Sequence, residues 1–353
     1  MIKYFFWPLL FILFFLRYLA AVPKYQDGDR IRIRSRVTEE PSRGDNYQSI
    51  TLKGVKIYLD PYPEISYGDR LVVEGIVDGR KLKDPTLLGL KKSEGSFYSL
   101  REKMLLNINS TLPYPHSALV SGVVLGSKKS IFEDFWQDLK VTGTAHVVVA
   151  SGMNVSLVGG FVLNSLILLT KRKKAALASI AVIWLYVLFC GLEAPLVRAG
   201  IMGSVAFIAQ GLGKIYFAKR ALFLSAFTML IINPLWFWDL GFILSFMATL
   251  SLILFETKIN RLIYFLPKFF RQDFSTSLAA QIGVAPILFI SFGNFNPVSP
   301  LINALILWTI APITILGMIS SLLGIISANL SLPILYLTYP LSSWFLLIIN
   351  FFS

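Results

Sequence analysis

The chain has 353 residues, of which 55% are hydrophobic and 15% are charged, with a net charge of +13. A soluble domain is about 45–50% apolar and about 25% charged, so the composition excludes an ordinary soluble protein. The single cysteine, Cys190, excludes a disulfide within the chain. Two histidines without HExxH spacing give no zinc pattern, so we expect no metal and no cofactor.

The first predicted element is a membrane anchor. Residues Tyr4–Val22 are nearly all apolar, and about 20 such residues cross a bilayer. Arg17 inside the run and the poor cleavage site at 22–24 favour a retained anchor, residues 1–23, over a cleaved signal peptide.

Residues 24–96 are polar and predict a small β-domain. The tripeptide Gly-Asp-Arg occurs at 28–30 before IRIRSRV and again at 68–70 before LVVEGIV, and each phrase joins a turn to a strand with alternating polarity. Between them, YQSITLKGVKIYLD places Val55, Ile57 and Leu59 on one face. Short strands at this spacing predict an OB-like barrel, and a purely structural β-domain is the alternative.

Residues 97–142 form a predicted amphipathic or interfacial connector. Apolar residues recur at helical spacing over 97–110 and again over 131–140. The apolar stretch 118–125 lies between Pro115 and Gly126 and is too short to span, so we expect it to be interfacial or re-entrant.

Residues 143–353 predict a transmembrane domain. The predicted fold is therefore a polytopic α-helical membrane protein of about 8–10 transmembrane helices with an inserted extracytoplasmic OB-like β-barrel domain. The segment 300–326 is either one long helix or two short ones divided near Ala311-Pro312. The predicted spans lie near 144–170, 175–192, 195–213, 221–234, 237–255, 275–292, 300–326 and 331–352.

Three loops predict the orientation. Residues 171–174, 214–220 and 258–271 together carry 11 basic and no acidic residues. The positive-inside rule places them in the cytoplasm and residues 24–142 outside the cell membrane. These 11 basic residues account for most of the net charge, so the charge can be explained without nucleic-acid binding.

Charged residues inside or beside the predicted spans are candidate functional groups. A charge at a helix centre costs about 2.5–3.5 kcal/mol on insertion scales, so it faces a partner or a watery cavity. Arg198 lies four residues into a span and is the strongest candidate. Glu193 and Asp239 lie near predicted helix ends, where an interfacial position explains them equally well.

The stretch HVVVASGMNV, residues 146–155, interrupts an apolar run with polar residues. A serine hydrolase would need Gly-x-Ser-x-Gly around Ser151, and no acidic residue lies near His146 in sequence. A break at Ser151-Gly152 is typical of a discontinuous helix whose freed backbone lines a cavity, and packing through small residues is the alternative.

The same stretch resembles the signature of the ComEC competence family of polytopic membrane proteins. Five phrases match in order: PHSALVSGVVLG, GTAHVVVASGMNVSLVGG, APLVRAGIM, INPLWFWDLGFILSF and SLAAQIGVAPILFISFGNFNPVSPLIN. The family usually has histidine at the position of Asn154. Many members also have a metallo-β-lactamase-like domain, and this sequence has no metal motif of that kind.

The resemblance implies a non-enzymatic inner-membrane channel for single-stranded DNA during natural transformation. Expected partners are single-stranded DNA, membrane lipid and possible accessory proteins, namely a DNA receptor, a separate nuclease and a cytoplasmic motor, since the chain has no P-loop. The alternatives are a channel for another solute and a membrane-embedded hydrolase. The candidate pore residues are His146, Ser151, Gly152, Asn154, Arg198, Asp239 and Asn303. The candidate DNA-binding residues are Arg30, Arg32, Arg34, Lys53, Lys56, Tyr47 and Tyr58.

Overall fold

The computed structural model describes residues 14–21, 25–44, 46–93, 95–149, 151–293 and 295–353. The predicted anchor, Tyr4–Val22, falls largely outside the described residues. Its described part, 14–21, is helical and is labelled α1. The Arg17 side chain donates from Nε to the carbonyl oxygen of Ile231 at 3.2 Å, which joins α1 to the helical part of the molecule.

Residues 25–93 form a six-stranded sheet, which we call the β-module. The strands are β1 (Arg30–Arg36), β2 (Ser42–Arg43), β3 (Gln48–Leu52), β4 (Val55–Leu59), β5 (Arg70–Asp78) and β6 (Lys81–Lys91). Their order is β1-β5-β6-β4-β3-β2, with β4 and β6 parallel and the other neighbours antiparallel. Because β1 also contacts β3, the sheet curls on itself. This arrangement is compatible with the predicted OB-like barrel.

The two Gly-Asp turns are equivalent. Gly28 and Gly68 have φ of 95° and 93°, which glycine adopts without a steric penalty. Each glycine donates across the β1–β5 pair, Gly28 N to the carbonyl of Val77 at 2.8 Å and Gly68 N to that of Val37 at 2.9 Å. The aspartate after each glycine accepts a bond from the backbone N three residues earlier. The repeated tripeptide therefore closes opposite ends of one antiparallel strand pair.

Burial on the β3–β4 hairpin follows the predicted alternation. Val55, Ile57 and Leu59 have exposed fractions of 2%, 0% and 7% and pack in the core of the β-module. The sequence did not predict β6, because Pro85 is uncommon inside strands and the run that follows it lacks strict alternation.

The helices of the remaining chain occur mostly where the sequence predicts them. They are α2 (Ser96–Thr111), α3 (His116–Leu125), α4 (Glu133–Val141), α5 (Ala145–Val148), α6 (Gly152–Ile167), α7 (Arg172–Cys190), α8 (Ala194–Gly211), α9 (Ala218–Ile232), α10 (Leu240–Leu262), α11 (Lys268–Phe292), α12 (Ser299–Ile326), α13 (Ala328–Tyr336) and α14 (Thr338–Phe352). A short 3-10 helix, Pro234–Trp238, precedes α10.

Within the described residues, five helical segments are long and apolar enough to cross a membrane. They are Ala145–Ile167, Arg172–Cys190, Leu240–Leu262, Lys268–Phe292 and Ser299–Ile326. The bent pair α13–α14 makes a sixth if it counts as one span. The larger predicted number, which includes α8, α9 and the anchor, stays a prediction. Of the two alternatives for 300–326, the structure shows one long helix, which continues through Pro312, as membrane helices tolerate.

The short helix α3 lies in the centre of the largest apolar core, among α2, α12 and α14. Its last carbonyl groups have no partners within the helix, and side chains from other helices satisfy them. The Val123 carbonyl accepts from Asn154 Nδ2 at 3.0 Å and from the Tyr186 hydroxyl at 3.4 Å. The Leu125 carbonyl accepts from Arg101 Nη2 at 3.1 Å. The segment predicted as interfacial or re-entrant is thus a buried helix.

The other end of α3 contacts the last helix of the chain. His116 Nδ1 and the hydroxyl of Ser342 are 2.8 Å apart, and the imidazole stacks on Tyr339 with ring centroids separated by 4.3 Å. Both ends of α3 are therefore held by side chains that are distant in sequence.

A buried ion pair joins the β-module to the helices. Glu40 Oε2 lies 2.9 Å from Arg101 Nη2, with side chains 4% and 7% exposed. The Tyr67 hydroxyl donates to the Leu188 carbonyl at 3.0 Å, and the Leu192 backbone N donates to the Thr38 carbonyl at 3.4 Å. The β-module thus rests on the α7–α8 junction, whereas the basic loop 171–174 lies at the other end of α7.

Candidate functional site

The helix that carries the polar motif is interrupted where the sequence predicts a break. Helix α5 ends at Val148 and α6 begins at Gly152, while Val149 and Ser151 have extended backbone angles. Ser151 occupies the position before α6 and makes no side-chain capping bond there. An extended segment inside an apolar run leaves backbone groups free to line a polar space.

Arg198 lies directly beside this break. A Cβ atom placed on Gly152 would be 3.0 Å from Arg198 Nη2, so a larger residue here would press on the guanidinium. Arg198 Nε donates to the Ser245 hydroxyl at 2.7 Å, and Nη1 donates to the Thr249 hydroxyl. No carboxylate forms an ion pair with Arg198 among the residues that the structure describes. The side chain is therefore a part-buried cation held by neutral groups.

Sequence reasoning did not identify the partners of Arg198. Ser245 and Thr249 are four residues apart in α10 and therefore face the same side of an otherwise apolar helix. That spacing is the signal that would have indicated a polar face. Phe246 completes the site, because its ring lies 5.9 Å from the Arg198 guanidinium carbon.

Two other residues of the motif point elsewhere. His146 is exposed, and its Nδ1 lies 3.0 Å from the carbonyl oxygen of Gly143. Asn154 is fully buried and donates to α3, as described above. In this structure Asn154 therefore packs α6 against α3. Its role in a pore stays a prediction.

The remaining pore candidates lie at separate places. Asp239 precedes α10 and caps it, since Oδ1 accepts from the Phe242 backbone N at 2.7 Å. Asn303 is 3% exposed and donates from Nδ2 to the Ser277 hydroxyl at 2.8 Å, between α11 and α12. Of the seven predicted pore residues, the structure brings Gly152 and Arg198 into contact, with Ser151 adjacent in the chain.

An acidic cluster lies at the junction of the β-module and the helices. Lys128 Nζ forms an ion pair with Glu193 Oε1 at 2.8 Å, just before the start of α8. Burial, together with the negative charges of Glu193 and Asp239, raises the pKa of Glu39 from 4.5 to about 7, although Lys128 opposes the shift. Within the described residues, no group of three or more His, Cys, Asp or Glu side chains is arranged to hold a metal ion.

The raised pKa of Glu39 predicts a pH-dependent stability. Between pH 4.5 and about 7 the folded protein retains a proton at Glu39 that the unfolded chain releases, so this group lowers stability as pH rises through that window. Glu39→Gln is expected to raise the Tm at pH 8 and to change it little at pH 4. Thermal unfolding of both proteins in detergent at the two pH values measures this. An equal change at both pH values would refute the assignment.

The predicted DNA-binding residues form two groups on the sheet. Arg30, Arg32 and Arg34 are exposed on β1, where Glu74 lies 2.8 Å from both Arg30 Nε and Arg32 Nη2. The side-chain hydrogen bond from Arg32 lowers the pKa of Glu74. Arg34 forms no ion pair within the described residues.

The second group lies on the β3–β4 hairpin, which β5 and β6 separate from β1 in the strand order. The rings of Tyr47 and Tyr58 meet edge to face at 5.4 Å, and Lys56 Nζ lies 5.2 Å from the centre of the Tyr58 ring. Lys53 is in the hairpin turn with φ of 49°. Lys81 also approaches Tyr58, at 5.9 Å, and was not among the predicted residues.

Long apolar helices and a docked sheet define a multi-pass helical membrane protein with a β-module. The chain belongs to the Competence protein family, whose model matches residues 123–353, and the resemblance to the ComEC competence family is confirmed. ComE operon protein 3 of Bacillus subtilis (strain 168) is 29% identical over 209 residues, which is 59% of this chain and 26% of that protein. The chain thus matches about a quarter of that relative's length, and no solved structure matches it.

Proposed function

We propose that this competence-family chain forms a membrane conduit that admits single-stranded DNA to the cytoplasm. The observation that carries the proposal is Arg198, a part-buried cation beside the helix break that has hydroxyl partners and no described carboxylate partner. A guanidinium in this setting favours an anion, and phosphate matches its planar donor geometry.

The cost of burying Arg198 supports a functional role. A cation at membrane depth costs several kcal/mol unless a partner or water compensates for it. Ser245 and Thr249 offer neutral hydroxyl oxygens, which stabilise the cation less than a carboxylate would. The charge is therefore left available to an anion that passes the break between α5 and α6.

The position of the β-module fits an entry role. It docks where α7 meets α8, and Arg80 Nη1 donates to the Trp238 carbonyl at 3.4 Å, near the start of α10. The three basic loops join the opposite ends of these helices. The positive-inside rule then places the β-module outside and the basic loops in the cytoplasm. Exposed arginines and tyrosines on the β-module are suited to phosphate and base contacts.

Arg198→Gln is expected to reduce uptake of labelled single-stranded DNA by about 10- to 100-fold. This range corresponds to losing a charge-assisted hydrogen bond of about 1.5–3 kcal/mol to phosphate. The measurement is uptake by cells with equal amounts of each protein in the membrane. Arg220→Gln is the control, because Arg220 is exposed and lies in the first turn of α9. Uptake equal to wild type in Arg198→Gln would contradict the proposal.

A conduit for a smaller anion is the alternative that Arg198 also supports, since a guanidinium binds any phosphate. Parallel uptake of labelled inorganic phosphate separates the two functions. Loss of phosphate uptake with unchanged DNA uptake in Arg198→Gln would favour the smaller anion.

A further inference from the structure

Three cations occupy directly opposed positions on neighbouring strands of the β-module. In the strand register Arg36 of β1 lies opposite Arg70 of β5, and Arg70 lies opposite Lys91 of β6. Directly opposed residues of antiparallel strands share one face of the sheet, and neighbouring strands are about 4.8 Å apart. The three exposed side chains therefore form a row about 10 Å long, which we call the cationic row.

The cationic row has no ion pair with any acidic residue in the part of the chain that the structure describes. Elsewhere on the same face, Glu74 compensates Arg30 and Arg32. Like charges placed directly opposite each other destabilise a sheet. A row of three such charges therefore lowers the stability of the free protein, and a bound anion would relieve that repulsion.

The cationic row lies at the end of the sheet that faces the helices. Arg36 comes just before the loop in which the Thr38 carbonyl accepts a hydrogen bond from the α7–α8 region. Arg70 comes just after the loop in which the Tyr67 hydroxyl donates a hydrogen bond to the same region. Arg36 also lies 5.7 Å from the ring centre of Tyr98 in α2. Tyr98 in turn lines a cavity of about 300 Å³ at the junction between the β-module and α2. Tyr98 thus connects Arg36 to this cavity, although the three cations themselves do not line it.

Further cations continue the cationic row away from the helices. Arg34, Arg32 and Arg30 follow Arg36 at every second position of β1, about 6.6 Å apart, and all are exposed. A membrane surface would contact one end of this line. A flexible polyanion can follow all of it. The geometry therefore favours a nucleic-acid strand over lipid headgroups.

We propose that Arg36, Arg70 and Lys91 bind backbone phosphates of a single-stranded nucleic acid and guide it from the outer face of the β-module to the helices. This inference rests on the proposed conduit function and identifies where the strand passes from one part to the other. Tyr98 lies next to Arg36 on this path, and aromatic rings accept bases without sequence preference.

The test uses the full-length protein in lipid nanodiscs and a fluorescent oligothymidine, with affinity measured by anisotropy over a range of salt concentrations. The double variant Arg70→Gln/Lys91→Gln is expected to bind at least tenfold more weakly at low salt. Its log–log salt slope should fall by about 1.4, since each single-strand phosphate contact contributes about 0.7. The control Lys103→Gln/Lys140→Gln removes two exposed charges away from the cationic row and should leave the slope nearly unchanged.

Thermal unfolding without oligonucleotide provides the second measurement. Removing like-charge repulsion should leave the Tm of the double variant equal to or above that of wild type, whereas a lower Tm would assign Arg70 and Lys91 a structural role and overturn the proposal. An unchanged salt slope would also overturn it.

If phosphatidylglycerol raises the Tm of wild type alone while oligonucleotide affinity stays equal, the cationic row binds lipid instead. If Arg198→Gln binds the oligonucleotide normally but loses DNA uptake, the cationic row and the conduit are distinct sites.

Discussion

Glu40→Ala is expected to lower the free energy of unfolding of the detergent-solubilised protein by about 3–5 kcal/mol, because it leaves the charge of Arg101 buried without its partner. The two side chains are 4% and 7% exposed, so water cannot replace the lost carboxylate without rearrangement. The Ser127 hydroxyl, which donates to Glu40 Oε1 at 3.1 Å, also loses its acceptor. Thermal and denaturant unfolding measure the loss.

Glu133→Ala is the matched control for this prediction. Glu133 pairs with Lys140 at 3.4 Å, but its side chain is 31% exposed and that of Lys140 is 44% exposed. Surface pairs of this kind contribute about 0–1 kcal/mol. Glu40→Leu combined with Arg101→Met should recover much of the stability, since apolar residues can replace a buried pair. Equal losses in Glu40→Ala and Glu133→Ala would contradict the assignment.

Gly122→Ala is expected to destabilise the protein by about 1–3 kcal/mol, the usual cost of overpacking a core. A Cβ at this position would lie 2.5 Å from the backbone oxygen of Val148, and a backbone atom cannot move aside as a flexible side chain can. Since Val148 ends α5, its displacement should also disturb the break beside Arg198. Both the Tm and DNA uptake should therefore fall.

Gly160→Ala tests the same change where space is available. Gly160 lies inside α6, and a Cβ there would meet nothing within 4 Å. Alanine is favoured over glycine in a helix interior by about 0.5–1 kcal/mol, so this variant should be equal to or more stable than wild type. Equal Tm and equal DNA uptake in the two alanine variants would contradict the prediction that the close contact between α3 and α5 requires glycine at position 122.

The regular parts of the β-module could be predicted from local pattern. The alternation in β1 and β4 gave the correct inward faces, and the Gly-Asp turns were recognised from the repeated tripeptide that precedes β1 and β5. Strand β6 was missed because Pro85 and the uneven pattern after it conceal its pairing. Its partners are β5 and β4, and such long-range pairing leaves no trace in a short window of sequence.

The site was predictable one residue at a time but not as an arrangement. Arg198 was recognisable as a charge within an apolar run, and Gly152 as a weak point in a helix. Their contact and the hydroxyls of Ser245 and Thr249 depend on how α6, α8 and α10 pack, over sequence separations of 46 residues and more. Burial of α3 was likewise hidden, since a short apolar run looks the same whether lipid or protein surrounds it.

The position of α3 has a consequence for synthesis of the protein. Its carboxyl end is satisfied by Asn154 and Tyr186, and its amino end contacts Ser342, near the end of the chain. When α3 leaves the ribosome, α2 and Arg101 have already been made, but Asn154, Tyr186 and Ser342 have not. We therefore expect α3 to pack first on α2 and to complete its contacts only after translation reaches α14.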